Sequence, residues 1–248
     1  MFTDFGFKTI KDFEKEKLVK ELFQGVSGKY DVMNDAMSFG LHRLWKKHFI
    51  KYLPIKQNDY VLDLASGTGD IAFQILKKFK PYNPSLMLCD LTDEMLFKAK
   101  EKSINEGLLS NIEFVVGSAE KLPFVDDTFD GVTISFGLRN TTHKLDVLKE
   151  IYRTLKPNGW FYCLEFSKPT CDLFSKFYDF YSFNIIPKMG KIIANDEDAY
   201  QYLVESIKQF PDQETLKSMM LDVGFKNVSF DNLTNGIVAV HHGKKNNF

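Results

Sequence analysis

Short apolar runs alternate with helix-patterned segments through the middle of the chain. The apolar runs have the length of buried strands: Tyr60–Leu64, Leu86–Cys89, Ile112–Val116, Gly131–Ser135 and Trp160–Phe166. Between them lie amphipathic helical patterns: Ile71–Phe79, Glu94–Asn105 and Leu145–Leu155. This alternation predicts a doubly wound α/β fold built on a parallel sheet.

The two flanks depart from this alternation. Apolar residues at helical spacing predict amino-terminal helices over Phe13–Phe23 and Leu41–Leu53. After Pro169, an aromatic helical stretch and a second helix interrupt the order of the sheet and are predicted to form a lid: Leu173–Ile186 and Tyr200–Ile207. A last helix with Asp212 as its N-cap precedes two strand patterns that predict an antiparallel edge: Phe225–Phe230 and Gly236–His241.

These patterns predict one domain spanning residues 1–248. Its parts are an amino-terminal helical extension, a core, a helical insertion, and a last helix with two strands: 1–54, 55–169, 170–210 and 211–248. Eight prolines fall between the predicted elements and not inside them.

Composition excludes several classes of protein. With 44% hydrophobic residues and a formal net charge of -1, the chain should fold without offering a general attraction to nucleic acid. Its three cysteines include no CxxC pair, so neither a disulfide framework nor a metal site is predicted. No apolar stretch approaches the length of a membrane span, which leaves a soluble or peripheral protein.

A glycine turn between the first predicted strand and the next helix is the strongest chemical signal. Gly67 and Gly69 stand in the segment Val61–Asp70 and allow a ligand to approach the backbone. The spacing to Ala72 satisfies a loose dinucleotide fingerprint, whereas Asp63 inside the strand end suits S-adenosylmethionine. A P-loop is excluded because no Gly-Lys-Ser/Thr follows.

Polar residues also end the following strands. Asp90 can accept hydrogen bonds from the hydroxyls of an adenosine ribose, although it could instead cap the next helix. Backbone amides near Ser118 and Ala119 could bind the adenine edge. Ser135 ends the fourth strand, and no Asn-Pro-Pro-aromatic motif follows it, which argues against methylation of nucleic-acid bases. These residues meet at the edge where open parallel sheets bind ligands.

Two long motifs carry a family resemblance. Residues 30–35, together with Ser38, His42, Arg43 and Trp45, and residues 153–159 continuing through 164–167, resemble signatures of the C-methyltransferases of ubiquinone and menaquinone biosynthesis. Residues 200–207 also match, and they lean toward mitochondrial and related bacterial members. Ser66 and Asn158 replace glycines that are usual in the family, and both are small changes compatible with turns.

The resemblance implies a seven-stranded, Rossmann-like methyltransferase sheet that uses S-adenosylmethionine. The implied substrate is a polyprenyl benzoquinol, 2-methoxy-6-polyprenyl-1,4-benzoquinol, or alternatively demethylmenaquinol. The residues implied to contact the cofactor are Thr68, Asp90, Ser118, Ala119 and Ser135, to which the glycine turn adds Asp63, Gly67 and Gly69. Neither nucleic acid nor a metal is implied.

The resemblance further implies a homodimer, other quinone-biosynthesis enzymes as partners, and contact with a membrane surface. The dense aromatic stretch around Phe180 is a candidate for that contact or for binding the prenyl tail. In a eukaryote the expected location is the matrix side of the mitochondrial inner membrane. In a bacterium it is the cytoplasm, with the protein associated with the membrane.

Arg139 is the leading catalytic candidate, with the neighbouring Asn140. A ring carbon becomes nucleophilic when a neighbouring phenol loses its proton, and Arg139 could stabilise the phenolate or orient a water. Arginine stays protonated, so it is not itself the base. The alternative is an ion pair between Arg139 and a helix carboxylate. Tyr30, Asp31, Asn34 and His42 are expected either to roof the substrate pocket or to pack and cap helices. Glu165 is expected either to face the site or to pair with Arg153, and the pair is favoured.

Two other functions share part of this pattern. A nicotinamide-dependent oxidoreductase would use the same glycine turn and Asp90. A non-catalytic scaffold in a quinone-biosynthesis assembly would bind the cofactor without turnover.

Overall fold

The computed structural model describes residues 2–26, 35, 37–194 and 196–247. Nine strands are found in this part of the chain: β1 (Phe2–Phe5), β2 (Lys8–Lys11), β3 (Tyr60–Leu64), β4 (Ser85–Asp90), β5 (Ile112–Val116), β6 (Phe129–Ser135), β7 (Leu155–Phe166), β8 (Lys226–Leu233) and β9 (Val238–Lys244). The last seven form one mixed sheet in the order β5-β4-β3-β6-β7-β9-β8. The predicted seven-stranded α/β fold is confirmed.

The described helices are α1 (Asp12–Val26), α2 (Leu41–Lys51), α3 (Asp70–Lys78), α4 (Asp93–Asn105), α5 (Lys144–Thr154), α6 (Asp172–Asn184), α7 (Ile186–Ala194), α8 (Glu197–Gln209) and α9 (Gln213–Val223). The aromatic helix predicted over Leu173–Ile186 is followed at once by α7, which the sequence did not predict as a separate helix. Pro187 lies in the first turn of α7, where a missing N–H costs no helical hydrogen bond.

Parallel pairing brings the carboxyl ends of five strands to one edge. β4 pairs with β3 and β5, and β6 pairs with β3 and β7, all in parallel. β9 runs antiparallel to both β7 and β8, so the predicted antiparallel edge is confirmed. β7 begins earlier than predicted because Leu155 already pairs with Phe129, before an irregularity ahead of the Gly131–Trp160 pair.

The alternation of side chains along β3 divides the core between the two faces of the sheet. Val61 packs on the face covered by α2, α3 and α4, whereas Leu62 and Leu64 pack on the face covered by α5 and α9. Asp63 shares the face of Val61 and is buried. A carboxyl group therefore stands in an otherwise apolar layer, at the edge where the strands end.

The amino-terminal extension is not wholly helical. β1 and β2 pair as an antiparallel hairpin that turns at Gly6, whose φ of 57° lies in the left-handed region. Strands of four residues are too short for the alternation of apolar and polar residues to distinguish a strand from a helix, so the sequence pattern did not predict this hairpin.

Within the described ranges, no helix combines the length and the apolar character that a membrane crossing requires.

The N-cap of α9 provides a test of the local structure. The Asp212 carboxylate accepts a hydrogen bond from the backbone N–H of Thr215 at 2.8 Å. We expect Asp212→Ala to lower the free energy of unfolding by about 1 kcal/mol, because one backbone donor at the start of the helix loses its partner. Urea unfolding followed by circular dichroism measures this change. The control Asp222→Ala, at the opposite end of α9, should leave stability unchanged or slightly higher; equal losses in both variants would contradict the capping role.

Candidate active site

The backbone bends sharply where β3 and β6 end. Ala65 and Phe136 each directly follow a strand and have φ angles of 50° and 56°, in the region that side chains other than glycine rarely adopt. Strain of this kind persists where the surrounding structure holds it, and it concentrates at functional sites. Both bends lie at the edge where the sequence analysis places the ligand.

A small cavity of about 130 Å³ lies at this edge. It is lined by six of the residues predicted to bind cofactor: Gly67, Thr68, Asp90, Ser118, Ala119 and Ser135. Glu16 and Val19 of α1 close it from the other side. The structure therefore brings most of the predicted cofactor residues together in one place.

Asp90 holds the glycine turn in shape. One carboxylate oxygen accepts the N–H of Gly67 at 2.8 Å, and the other accepts the N–H of Thr92 at 2.9 Å. Burial raises the pKa of this carboxyl group above its ordinary value. Each oxygen keeps a further lone pair, so the bonds to the backbone are compatible with the predicted bonds to a ribose.

The two glycines of the turn differ in their surroundings. Gly67 has a φ of 54°, lines the cavity, and has no atom within 4 Å of the position that a Cβ would occupy. Gly69 precedes α3, and a Cβ there would meet the Phe73 ring at 2.6 Å. Gly67 thus leaves room for a ligand, whereas Gly69, which lines neither cavity described here, is required by packing.

A larger cavity of about 360 Å³ adjoins the first, and the two share Gly67, Thr68, Ser135 and Asn140 in their walls. Its lining includes eight aromatic residues from distant parts of the sequence: Phe39, Trp45, Phe136, Phe166, Tyr178, Tyr181, Tyr200 and Tyr202. Phe136 and Phe166 lie 4.9 Å apart between ring centroids, and Trp45 lies about 6 Å from each. Helix α2 and the inserted helices α6 to α8 cover this cavity.

Five buried polar atoms along the larger cavity have no hydrogen-bond partner. They are His42 Nδ1, Asp63 Oδ2, Ser66 Oγ, Ser135 Oγ and Arg139 Nε. Buried polar groups in folded proteins are nearly always satisfied, and each exception calls for an explanation. These five are half of the ten such atoms in the described residues, and their residues all line one cavity, a concentration that a site for a polar ligand predicts.

Asp63 and Lys46 bring a carboxyl group and an ammonium group to this cavity. Burial raises the pKa of Asp63 to about 7, against a hydrogen bond from Thr133 at 2.8 Å and the nearby Lys46, which both lower it. Lys46 pairs with Asp70 at 3.0 Å, and Lys102 bonds to the other oxygen of Asp70. Asp63 and Lys46 together match the ammonium and carboxylate of a methionine moiety, so these two residues could hold the amino-acid end of S-adenosylmethionine.

Arg139 is buried against Glu165. Its Nη1 donates to Glu165 Oε1 at 3.0 Å, and its backbone N–H donates to Oε2 at 3.2 Å. The guanidinium also lies over the Phe166 ring, 5.4 Å from its centroid. The pair carries no net charge, so Arg139 offers the cavity an unpaired N–H group and not an isolated cation.

The expected pair of Glu165 with Arg153 is wrong. Arg153 instead bonds to Glu150 and Asp126, at 2.7 and 2.8 Å. Arg153 ends α5 next to the start of β7, whereas Glu165 lies near the end of that strand. The two groups therefore stand at opposite edges of the sheet. The alternative expected for Arg139 was an ion pair with a helix carboxylate. The observed ion pair is with Glu165, which lies on a strand.

The remaining catalytic candidates divide into three cases. Asn140 lies where the two cavities meet, and its Oδ1 is 3.3 Å from the Tyr202 hydroxyl. His42 lines the larger cavity through α2, with its Nε2 2.8 Å from Asp35 Oδ1. Arg43 and His42 together lower the pKa of Asp35 to about 2. Tyr30, Asp31 and Asn34 lie outside the described residues.

Several residues of the cavity walls were not predicted from the sequence. Lys46 stands within a lysine pair on an otherwise ordinary helix, and no local pattern separates it from a surface lysine. Tyr202 falls inside the family motif at 200–207, and the motif was the only sequence signal that pointed to it. The motif does not indicate its contact with Asn140. From the aromatic stretch, Tyr178 and Tyr181 line the cavity.

Comparison with known proteins identifies the family of this chain. The sequence model of the ubiE/COQ5 methyltransferase family matches residues 10–245. The chain is 53% identical to the ubiquinone/menaquinone biosynthesis C-methyltransferase UbiE of Rickettsia bellii, over 98% of each protein. It is 51% identical to the protein of the same name from Marinomonas sp., over 98% of this chain and 96% of that one. A SAM-dependent methyltransferase from Aquifex aeolicus has a similar fold, with a TM-score of 0.58 at 18% identity, over 80% of this chain and 88% of that one.

The buried Asp63 carboxyl predicts a pH dependence of stability. Its pKa of about 7 lies above the ordinary value of 3.8, so the folded protein retains a proton that the unfolded chain loses. The resulting stability is complete below about pH 4 and is lost as the pH rises to 7. Between pH 5 and pH 7, we expect the free energy of unfolding of the wild type to fall by about 2 kcal/mol more than that of Asp63→Asn.

Urea unfolding of the cofactor-free protein at the two pH values measures this difference. The exposed Asp222→Asn serves as the control and should keep the wild-type pH dependence. Identical pH dependence in wild type and Asp63→Asn would show that the carboxyl group titrates normally.

Proposed function

The chain belongs to the ubiE/COQ5 methyltransferase family, and from this premise we propose that it transfers the methyl group of S-adenosylmethionine to a ring carbon of a polyprenyl quinol. The observation that carries the proposal is the pair of adjoining cavities, with the five unsatisfied polar atoms along the larger one. The small cavity has polar groups suited to an adenosine. The larger one has aromatic walls suited to a quinol ring and an apolar tail.

The cofactor would lie across the junction of the cavities. Asp90 would hold the ribose, the loop at Ser118 and Ala119 would face the adenine, and Asp63 with Lys46 would receive the amino-acid end. When bound, S-adenosylmethionine supplies an electrophilic methyl group on a sulfonium. Gly67, which has open space above its Cα, lets the ligand approach the backbone of the turn.

The acceptor ring would lie against Phe136 and Phe166, with its phenolic oxygen near Arg139 and Asn140. Because Glu165 already neutralises Arg139, the arginine would stabilise a phenolate by donating hydrogen bonds. His42 stands in the same cavity as a candidate proton acceptor, with its Nδ1 unpaired. Aligning the ring carbon behind the methyl group is the larger contribution, since such positioning can supply on the order of 7 to 11 kcal/mol.

Two ring types remain in the proposal. The first is 2-methoxy-6-polyprenyl-1,4-benzoquinol, and the second is demethylmenaquinol. The curated relatives carry both pathways in their names. The aromatic side chains of the larger cavity could stack on either ring, so the substrate test must supply both.

We also propose that residues 1–248 act as one methyltransferase domain, in which 1–54 and 170–210 cover the site built by 55–169, and 211–248 complete the sheet. A homodimer and association with other quinone-biosynthesis enzymes rest on the family resemblance.

The reaction is tested with purified protein and methyl-labelled S-adenosylmethionine, offered quinols of both ring types. We expect label in the quinol fraction. Arg139→Lys should bind the cofactor as the wild type does but lose at least about tenfold in turnover, because lysine lacks the planar fork that bonds to Glu165 and leaves an N–H for the substrate.

Arg153→Lys is the matched control, since Arg153 lines neither cavity, and it should keep wild-type turnover. Unchanged turnover in a folded Arg139→Lys protein would remove Arg139 from the reaction. A folded, cofactor-saturated wild type that labels neither quinol would favour the scaffold function. An absorbance change with a nicotinamide cofactor would favour the oxidoreductase.

A membrane surface is the proposed source of the acceptor. Phe39 is 78% exposed although it lines the larger cavity, and its ring centroid lies 5.8 Å from that of Tyr181. Phe180, which precedes Tyr181 in the sequence, is 60% exposed. Apolar side chains at a cavity mouth could enter a bilayer and let a prenyl tail pass without crossing water. The membrane would be the bacterial cytoplasmic face or, in a eukaryote, the matrix face of the mitochondrial inner membrane.

Liposome flotation tests this surface. Phe39→Ser with Phe180→Ser should reduce binding to liposomes by about tenfold or more, because two aromatic side chains no longer leave water. The control Leu109→Ser removes a side chain that is 72% exposed before β5, at the opposite edge of the sheet, and should not change binding. Equal binding by the double variant and the wild type would reject this surface.

A further inference from the structure

The amino-terminal hairpin packs on helix α8. The Phe5 ring stacks on Tyr202, with centroids 4.2 Å apart and planes 24° apart. The Phe7 backbone N–H donates to Glu205 Oε2 at 2.8 Å. A Cβ at Gly6 would lie 2.2 Å from that same carboxylate oxygen, so the turn of the hairpin fits closely against the helix. The hairpin is thus attached to one face of α8 by a ring stack and a charged acceptor.

Tyr202 reaches from this contact to the site. Its side chain is buried and lines the larger cavity, and its hydroxyl donates to Asn140 Oδ1 at 3.3 Å. Burial raises the pKa of Tyr202 to about 12, so the hydroxyl keeps its proton at neutral pH and remains a donor. Residues 5, 202 and 140 therefore form a continuous chain of contacts from the hairpin to the junction of the cavities.

Asn140 needs such an anchor. It follows Arg139 in the short helical turn Leu138–Asn140 and lines both cavities. An amide side chain can rotate and exchange its oxygen for its nitrogen, which would replace a donor by an acceptor at the same point. The Tyr202 hydroxyl can donate to Oδ1 or accept from the amide nitrogen, so in either orientation it provides a bond that holds the Asn140 side chain in position. Arg139 beside it is already held by Glu165, so the tyrosine completes the fixing of this turn.

We propose that Tyr202 is a positioning residue for the methyl transfer: its hydroxyl holds the Asn140 side chain in position where the two cavities meet, and Phe5 of the amino-terminal hairpin holds the Tyr202 ring in place. The inference rests on the proposed function, because it treats Asn140 as part of the reaction. Tyr202 itself transfers no proton in it. Its contribution is to geometry, and small displacements of positioned groups are costly to rate.

The first test is Tyr202→Phe, which keeps the ring and removes the hydroxyl. We expect kcat to fall by about 5- to 10-fold, the equivalent of one hydrogen bond, with the Kd for S-adenosylmethionine unchanged. Tyr52→Phe, which alters an exposed tyrosine at the end of α2, is the matched control and should retain wild-type kcat. In an Asn140→Ala background, Tyr202→Phe should cause no further loss.

The hairpin is tested by Phe5→Ala, which should lower kcat in the same direction as Tyr202→Phe without lowering cofactor affinity. Phe2→Ala is the control on the same hairpin, because the Phe2 side chain is 70% exposed. A kcat loss from Tyr202→Phe that persists at full size in the Asn140→Ala background would overturn the inference. So would a wild-type kcat in a folded Tyr202→Phe protein.

A second measurement does not depend on turnover. The two side-chain amide proton signals of Asn140 can be assigned in a nitrogen-15 NMR spectrum by their loss in Asn140→Ala. We expect Tyr202→Phe to shift these signals and Tyr52→Phe to leave them in place; unshifted signals would overturn the inference. If the wild type methylates neither quinol, the proposed function fails, whereas this spectrum still decides whether Tyr202 orients Asn140.

Discussion

A buried ion pair between Arg139 and Glu165 determines the shape of the site. Glu165 accepts hydrogen bonds from the Arg139 side chain and backbone and from the Phe166 N–H at 2.9 Å. Two charges removed from water are costly unless each is matched and hydrogen-bonded. Here the hydrogen bonds between Arg139 and Glu165 join the turn after β6 to the end of β7. The wall of the larger cavity therefore depends on both residues being present.

The pair also explains the chemical character of the larger cavity. A lone arginine would make it strongly cationic and would bind small anions. With Glu165 beside it, the arginine contributes direction and hydrogen-bond donors, while the surrounding aromatic rings keep the cavity suited to an apolar ring. Asp63 and Lys46 add a buried carboxyl group and an ammonium group to the same lining. The site thus combines charged groups with an apolar wall without a large net charge.

Two layers of structure build the site. The parallel strands supply the turn at Gly67, the carboxylate of Asp90 and the strained residues Ala65 and Phe136 on one rigid edge. The helices α2 and α6 to α8 supply the aromatic wall, and the hairpin braces α8 from outside. Most residues predicted to bind the cofactor therefore stand on the sheet, whereas much of the aromatic wall comes from segments before and after the core.

The sequence by itself determined the seven strands of the main sheet, most of the helices and the edge at which polar residues gather. Each of these follows from contacts between near neighbours: apolar periodicity, the Asp212 cap and the glycine turn. Only the tertiary structure decided which charges pair, since Glu165 meets Arg139 across two strands and Arg153 lies at the far edge. It likewise decided that Lys46 and Tyr202 line the cavity and that residues 2–11 form a hairpin. Those outcomes depend on which distant segments pack against each other in the fold, and no local pattern of residues specifies that packing.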